Sequence, residues 1–354
     1  MLERDEIFKL NRNVPERFFK EYEKPLFFDI ETTGLSPKSA EIYLIGVVYQ
    51  DGREWHFHQW FSESFRDEEK LLVSFREFIK PYKTILHYNG DCFDLPFIQK
   101  TGKSYGLSFD LQDKASVDLL KIVRSLRKVL PLDSFRQKSL ETFLGINRKD
   151  VFSGGELIEI YETYRDTKDE KLLKALLLHN EDDLKGMPDL LAILSYKTLF
   201  RENPELTLIE QGKNKAGTLL NLRYDTPYEF ATCLTSRKEN GVSLSLTGRQ
   251  IELSIPLCYG ELKSFLPHPE NYYYLPNEDM VVHKTLAKTV DKAYRVPAAK
   301  EQCFVKYKTD FVPALKELSY PLFRKDYEDT ETFFPVDKID LEQYVKALLK
   351  SFVF

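Results

Sequence analysis

At 354 residues, with 42% apolar and 30% charged positions, the chain is long enough for two domains that each bury a core, which excludes a small stapled scaffold and a disordered polymer. A net charge of only −5 argues against a uniformly basic coat for nucleic acid, yet leaves room for clustered carboxylates beside a few local lysines and arginines. The four cysteines, Cys92, Cys233, Cys258 and Cys303, are too dispersed for a CxxC metal pair or a disulfide framework.

In residues 1–14, the charges on Glu3, Arg4, Asp5, Glu6 and Lys9 leave no apolar core for a signal peptide. No later run reaches the roughly 18 to 20 apolar residues of a membrane span, so the expectation is a cytoplasmic protein. Residues 25–31 (PLFFDIE) read as a buried strand and residues 41–50 (EIYLIGVVYQ) as a long β-branched one. Asp51-Gly52 then supplies a turn into residues 53–60, which alternate polar and aromatic side chains, so these three strands form an antiparallel meander. A crossover helix follows over residues 66–80, with Leu71, Leu72, Phe75 and Phe78 at helical spacing behind Asp67, Glu68 and Glu69.

Residues 84–89 (TILHYN) predict a fourth strand, residues 92–100 a helix that Gly102 ends, and residues 115–118 a short fifth strand. Helices are predicted at 119–126, 134–144, 156–164 and 170–199, the last interrupted near Gly186 and Pro188. The whole is an α/β domain over residues 1–200, with a mixed five-stranded sheet and flanking helices. Residues 201–354 read as a β-rich α+β domain. Short strands are expected at 206–210, 218–224 and 229–234, and a hairpin pairs 241–246 with 250–255 across Thr247-Gly248-Arg249. One amphipathic helix is expected at 278–295, where Lys284, Lys288, Lys292 and Arg295 would form a basic stripe able to follow a phosphate backbone. A merely solvated helix face explains the same charges. With 21 Lys plus Arg against 22 Asp plus Glu in residues 201–354, this region has no net electrostatic footprint of its own.

Three short segments carry the chemistry. Asp29 and Glu31, two apart on a strand, point to the same side, and burying two like charges there is unfavourable without a cation. Just past the fourth strand lies NGDCFDLPF, where Asp91 is explained as a helix cap and Asp94, one turn further in, is the candidate ligand. On the helix from residue 170, His179 and Asp183 are four apart and share a face, whereas Asp182 points about 100° away and reads as solvated. Asp118 reads as a cap before Leu119, and His56 and His58 lack a third ligand.

In order and local sequence, DIETTGL, HYNGDCFDLPF and HNEDD resemble the three exonuclease motifs of the DEDD superfamily, and most nearly its YprB-like group of ribonuclease H-like proteins. The resemblance covers about residues 25–200. It implies a ribonuclease H-like fold, metal ligands at Asp29, Glu31, Asp94 and Asp183, and His179 in the position of the general base. The family has a histidine five residues before the last aspartate, or a tyrosine four before it; this chain has histidine at the tyrosine spacing.

Such a set would hold two Mg²⁺ or Mn²⁺ ions roughly 3.5 to 4 Å apart, one activating water and the other stabilising the leaving 3′ oxygen. The expected activity is 3′→5′ exonucleolytic hydrolysis of single-stranded DNA or RNA from a free 3′ end, releasing nucleoside 5′-monophosphates. By the same resemblance the turn Thr33, Gly34 and Leu35 contacts the terminal nucleotide. Asn89 in the second motif, Phe93 as a stacking or core side chain, and Lys284 and Lys288 complete the candidate substrate contacts. Two other readings stay open: a nucleic-acid-binding protein without turnover, and an endonuclease on the same fold.

Overall fold

The computed structural model describes residues 1–10, 19, 21–64, 66–150, 152 and 154–353, divided into two compact units, Met1–Lys197 and Thr198–Phe354. Among these residues no helix is long and apolar enough to cross a membrane.

The first unit is built on a six-stranded sheet in the order β1-β4-β3-β2-β5-β6, comprising β1 (Leu2–Phe8), β2 (Pro25–Thr32), β3 (Ile42–Asp51), β4 (Glu54–Phe61), β5 (Thr84–His87) and β6 (Ala115–Asp118). Strands β2, β3 and β4 form the expected antiparallel meander, and β5 and β6 continue it in parallel beyond β2. The count of five strands is corrected to six. The added strand β1 pairs antiparallel with β4 from Leu2↔Phe61 to Phe8↔Trp55. Its run of charges hid it, because an edge strand with half-buried and exposed positions in alternation needs no apolar face of its own.

Among the described residues there are eight helices: α1 (Glu68–Phe78), α2 (Asp94–Ser104), α3 (Leu119–Ser125), α4 (Gln137–Leu144), α5 (Gly154–Thr167), α6 (Glu170–Leu190), α7 (Ile193–Arg201) and α8 (Leu341–Lys350). Phe28 and Ile30 of β2 pack with Leu71, Leu72 and Phe75 of α1 and with Phe97 and Ile98 of α2. On a strand, Asp29 and Glu31 must therefore face the opposite layer. There, Tyr43 and Phe61 pack with Leu157, Tyr161 and Tyr164 of α5 and Leu176 of α6. The interruption expected near Gly186 and Pro188 falls slightly later: α6 carries Pro188 in its last turn and ends at Leu190, and α7 resumes at Ile193.

The second unit holds three three-stranded sheets. The first comprises β7 (Thr207–Lys213), β8 (Leu219–Arg237) and β9 (Ser243–Pro256); β10 (Cys258–Phe265) pairs with β14 (Phe304–Pro313) and β15 (Phe333–Pro335); β11 (Tyr272–Leu275) pairs with β12 (Met280–His283) and β13 (Val296–Pro297). Two expectations fail here. Residues 241–255 are not a hairpin: β9 runs continuously beside β8, and Gly248, at φ +58°, sits opposite Phe230 at a register shift. The Thr-Gly signal marks a bulge, and the reversal lies earlier, at Gly241 with φ +85°. Nor do residues 278–295 form a helix. Val281 and Val282, β-branched, enter β12 against Tyr274 and Tyr273, and the remainder makes short 3₁₀ turns. The basic stripe consequently does not form; Lys284 and Arg295 both lie over the Tyr273 ring, at 5.5 and 4.8 Å, and Lys288 is exposed in a turn.

Candidate metal centre

Three segments of the first unit bring acids to one place. β2 delivers Asp29 and Glu31 on the face that meets α6, α2 delivers Asp94 in its first turn, and α6 delivers His179 and Asp183 one turn apart. Between Glu31↔Leu44 and Thr32↔Ile42 the β2–β3 register skips Tyr43, so a bulge sits directly beside Glu31. The β2–β5 pairing ends at Phe27↔Leu86. Beyond it, the Ile30 N–H donates to Asp94 Oδ1 at 3.1 Å, tying the start of α2 to the acidic strand.

Asp29 and α6 are joined through an amide. Asn180 Nδ2 donates to Asp29 Oδ2 at 2.9 Å, and Gln59 Nε2 donates to Asn180 Oδ1 at 2.9 Å and to the Leu177 carbonyl at 3.1 Å. Gln59 thereby fixes which end of the Asn180 amide meets the carboxylate. This approach requires Gly46, opposite Asp29 on β3, because a Cβ there would lie 2.1 Å from Asn180 Oδ1 and 2.3 Å from Leu184 Cδ1.

His179 is 6% exposed and works from both ring nitrogens. Nδ1 is 2.7 Å from Asp150 Oδ2; Nε2 faces Asp183 Oδ2 at 3.4 Å and Glu31 Oε1 at 3.6 Å. Ligand atoms of Glu31, His179 and Asp183 lie within 4.8 Å of one another. Arg148 supplies the cluster's counter-charge: its Nη1 pairs with Asp183 Oδ1 and, at 2.9 Å, with Glu141 Oε2. Burial opposes that charge, but Asp183 and Glu141 hold the guanidinium well above its usual range.

The carboxyls respond to this crowding. Burial first, then Asp94, Glu31 and Asp183, push Asp29 well above the ordinary range, with the Asn180 hydrogen bond opposing. Burial, then Asp183, Asp94 and Asp150, do the same for Glu31. Asp94, 4% exposed, is pushed up to about 7, mainly by burial and against the Ile30 N–H. A site of oxygen ligands that resist ionisation together is chemically suited to a hard divalent cation, which would offset the repulsion.

The other sequence candidates fall as follows. Thr33 closes its turn on Glu41, with N–H to carbonyl at 2.9 Å and Glu41 N–H to Thr33 Oγ1 at 2.9 Å; Gly34 lies against Ala40, and Leu35 is 86% exposed. Asn89, at φ +69°, donates its N–H to Asp118 Oδ1 at 2.9 Å, so Asp118 holds that turn as well as capping α3 through Leu120 N–H at 3.0 Å. Phe93 is half-buried with its ring 5.5 Å from Phe97. Asp91 is not a cap: although burial works against it, Lys121 and Ser116 hold its carboxyl below the usual range. Asp182 is not merely solvated either; it accepts the N–H groups of Lys149 and Asp150, each at 2.7 Å, pinning that loop to α6. Arg148, Asp150, Asn180, Gln59 and Gly46 escaped the sequence reading. Only Gly46 carried a usable signal, as a lone glycine inside a β-branched strand.

Residues 26–195 match the family model of the RNase_H superfamily. Among solved structures, the chain is similar to the family B DNA polymerase from the hyperthermophilic archaeon Pyrobaculum calidifontis, at 16% identity and TM-score 0.40 over 74% of this chain and 40% of that one. It is also similar to E. coli exonuclease I in complex with a dT13 oligonucleotide, at 17% identity and TM-score 0.30 over 44% of this chain and 43% of that one. The chain thus spans less than half the length of either. No curated protein sequence matches it. From its sheet order, its flanking helices and the match over residues 26–195, the first unit is a ribonuclease H-like domain.

Proposed function

We propose that the chain is a metal-dependent 3′→5′ exonuclease of the DEDD type, hydrolysing single-stranded DNA or RNA from a free 3′ end. The observation that carries this reading is that Glu31, His179 and Asp183 bring ligand atoms within 4.8 Å of one another, while Asp29, Glu31 and Asp94 are close enough to one another and to Asp183 that their carboxyls resist joint ionisation. In this reading the four carboxylates hold two divalent ions, Mg²⁺ or Mn²⁺. When bound, these would supply Lewis-acid activation of water and positive charge for the leaving 3′ oxygen.

The chain's own groups do the rest. Asn180 and the Ile30 N–H hold Asp29 and Asp94 in place without neutralising them. His179 Nε2 takes the proton of the attacking water. Thr33, Gly34, exposed Leu35, Asn89 and Phe93 border the carboxylate-bearing segments and receive the terminal nucleotide.

The test is digestion of 5′-labelled linear and circular single strands, DNA and RNA, with Mn²⁺ or Mg²⁺. Wild type is expected to give stepwise ladders and mononucleotides from linear strands alone, and Asp94→Ala to lose at least about 100-fold in rate. Cleavage of circles would identify an endonuclease. Binding without cleavage under any metal would leave a nucleic-acid-binding protein.

A further inference from the structure

Asp150 lies outside the four-carboxylate set and its segment matches none of the three motifs, yet its side chain is 1% exposed and aimed at His179. Its Oδ2 takes His179 Nδ1 at 2.7 Å, Lys138 Nζ at 3.1 Å and Arg148 Nη2 at 3.4 Å, while Oδ1 accepts the Phe152 N–H at 3.0 Å. Its backbone N–H is held by Asp182 of α6, so the carboxylate and the imidazole are referenced to the same helix. Burial works against ionisation, but the Phe152 N–H, His179 and Lys138 keep the carboxyl below its usual range.

An ionised carboxylate only accepts hydrogen bonds, so the nitrogen facing Asp150 must carry a proton. In a neutral imidazole, Nε2 then keeps its lone pair. Left alone, the ring would be drawn the other way, because the Asp183 carboxylate 3.4 Å from Nε2 is also an acceptor and would favour a proton there. We propose that Asp150 is a positioning residue that fixes His179 in the Nδ1–H tautomer, with an unprotonated Nε2 turned toward Glu31 and Asp183. Its link to catalysis rests on the exonuclease reading; the tautomer itself does not. The second nitrogen of a functional imidazole is commonly set in this way by a carboxylate behind it.

A double-mutant cycle in full-length protein with Mn²⁺ separates positioning from a structural role. Asp150→Ala is expected to lower kcat by about 10- to 100-fold with KM within about threefold, and no further than His179→Ala does. In the His179→Ala background, Asp150→Ala should change kcat by less than about twofold. Asp150→Asn, which keeps an acceptor but no charge, should fall between wild type and Asp150→Ala, and serves if the alanine variant fails to fold. Equal losses in both backgrounds, or full activity of Asp150→Ala, would overturn the proposal. Independently of any activity, long-range ¹H–¹⁵N spectra of the metal-free wild type should show the Nδ1–H tautomer at His179, moving toward Nε2–H in the Asp150 variants. An Nε2–H wild type would sink the proposal even if the exonuclease is active, whereas an inactive wild type with the Nδ1–H tautomer would remove only the exonuclease reading.

Discussion

With Asp29, Glu31 and Asp94 all raised by burial and by neighbouring carboxylates, the metal-free folded chain keeps protons that the unfolded chain releases. Stability from such groups is present below their unfolded pKa values, about 4, and is lost as pH rises through the folded values, about 7 for Asp94. Asp91, Asp150 and Glu181, held low by their partners, act in the opposite sense and lose their contribution as pH falls below about 4. Thermal unfolding in chelator should therefore give a higher midpoint near about pH 5 than near about pH 8, and saturating Mn²⁺ should abolish or reverse that order. A chelated protein equally stable at both values would contradict the clustering. At this scale the clustered side chains were legible because each sits in a short motif, Asp29 and Glu31 by strand alternation and His179 with Asp183 by helical spacing. Asp150 and Arg148 were not, since nothing in the loop segment NRKD is periodic and their partners lie up to 35 residues away.

Among the elements, the contact that assembles the site is α6 against β2 and β3, and it depends on a missing side chain. Gly46→Ala would put a Cβ into Asn180 and Leu184, forcing α6 outward and pulling Asn180 from Asp29. The expected cost is about 1 to 3 kcal/mol of stability, read by denaturant unfolding, with a loss of Mn²⁺ affinity alongside it. An unchanged midpoint would show that α6 can retreat freely. The first unit's meander and crossover were readable because buried strands and amphipathic helices differ in period. In the second unit the local signals misled. Lysines at spacings of four suggested a helix over 278–295, but two valines and a tyrosine-rich partner strand made pairing stronger than propensity. Thr247-Gly248 offered a turn that the long β8–β9 ladder used as a bulge. Register across a sheet is a tertiary property, which a short window does not contain.

For the whole molecule, a net charge of −5 argues against a uniformly basic surface for nucleic acid. Any phosphate recognition must then be concentrated near cations, whether side chains or bound metal. The described residues supply the carboxylate cluster with Arg148, whose charge is already shared with Glu141 and Asp150. The most direct test of the account is calorimetric titration of Mn²⁺ into chelator-treated full-length protein at about pH 6.5, in two buffers of different protonation enthalpy. The account predicts two ions bound per chain with net proton release, and loss of at least one ion in Asp94→Asn. Absence of binding, or binding that releases no protons and survives Asp94→Asn unchanged, would contradict it.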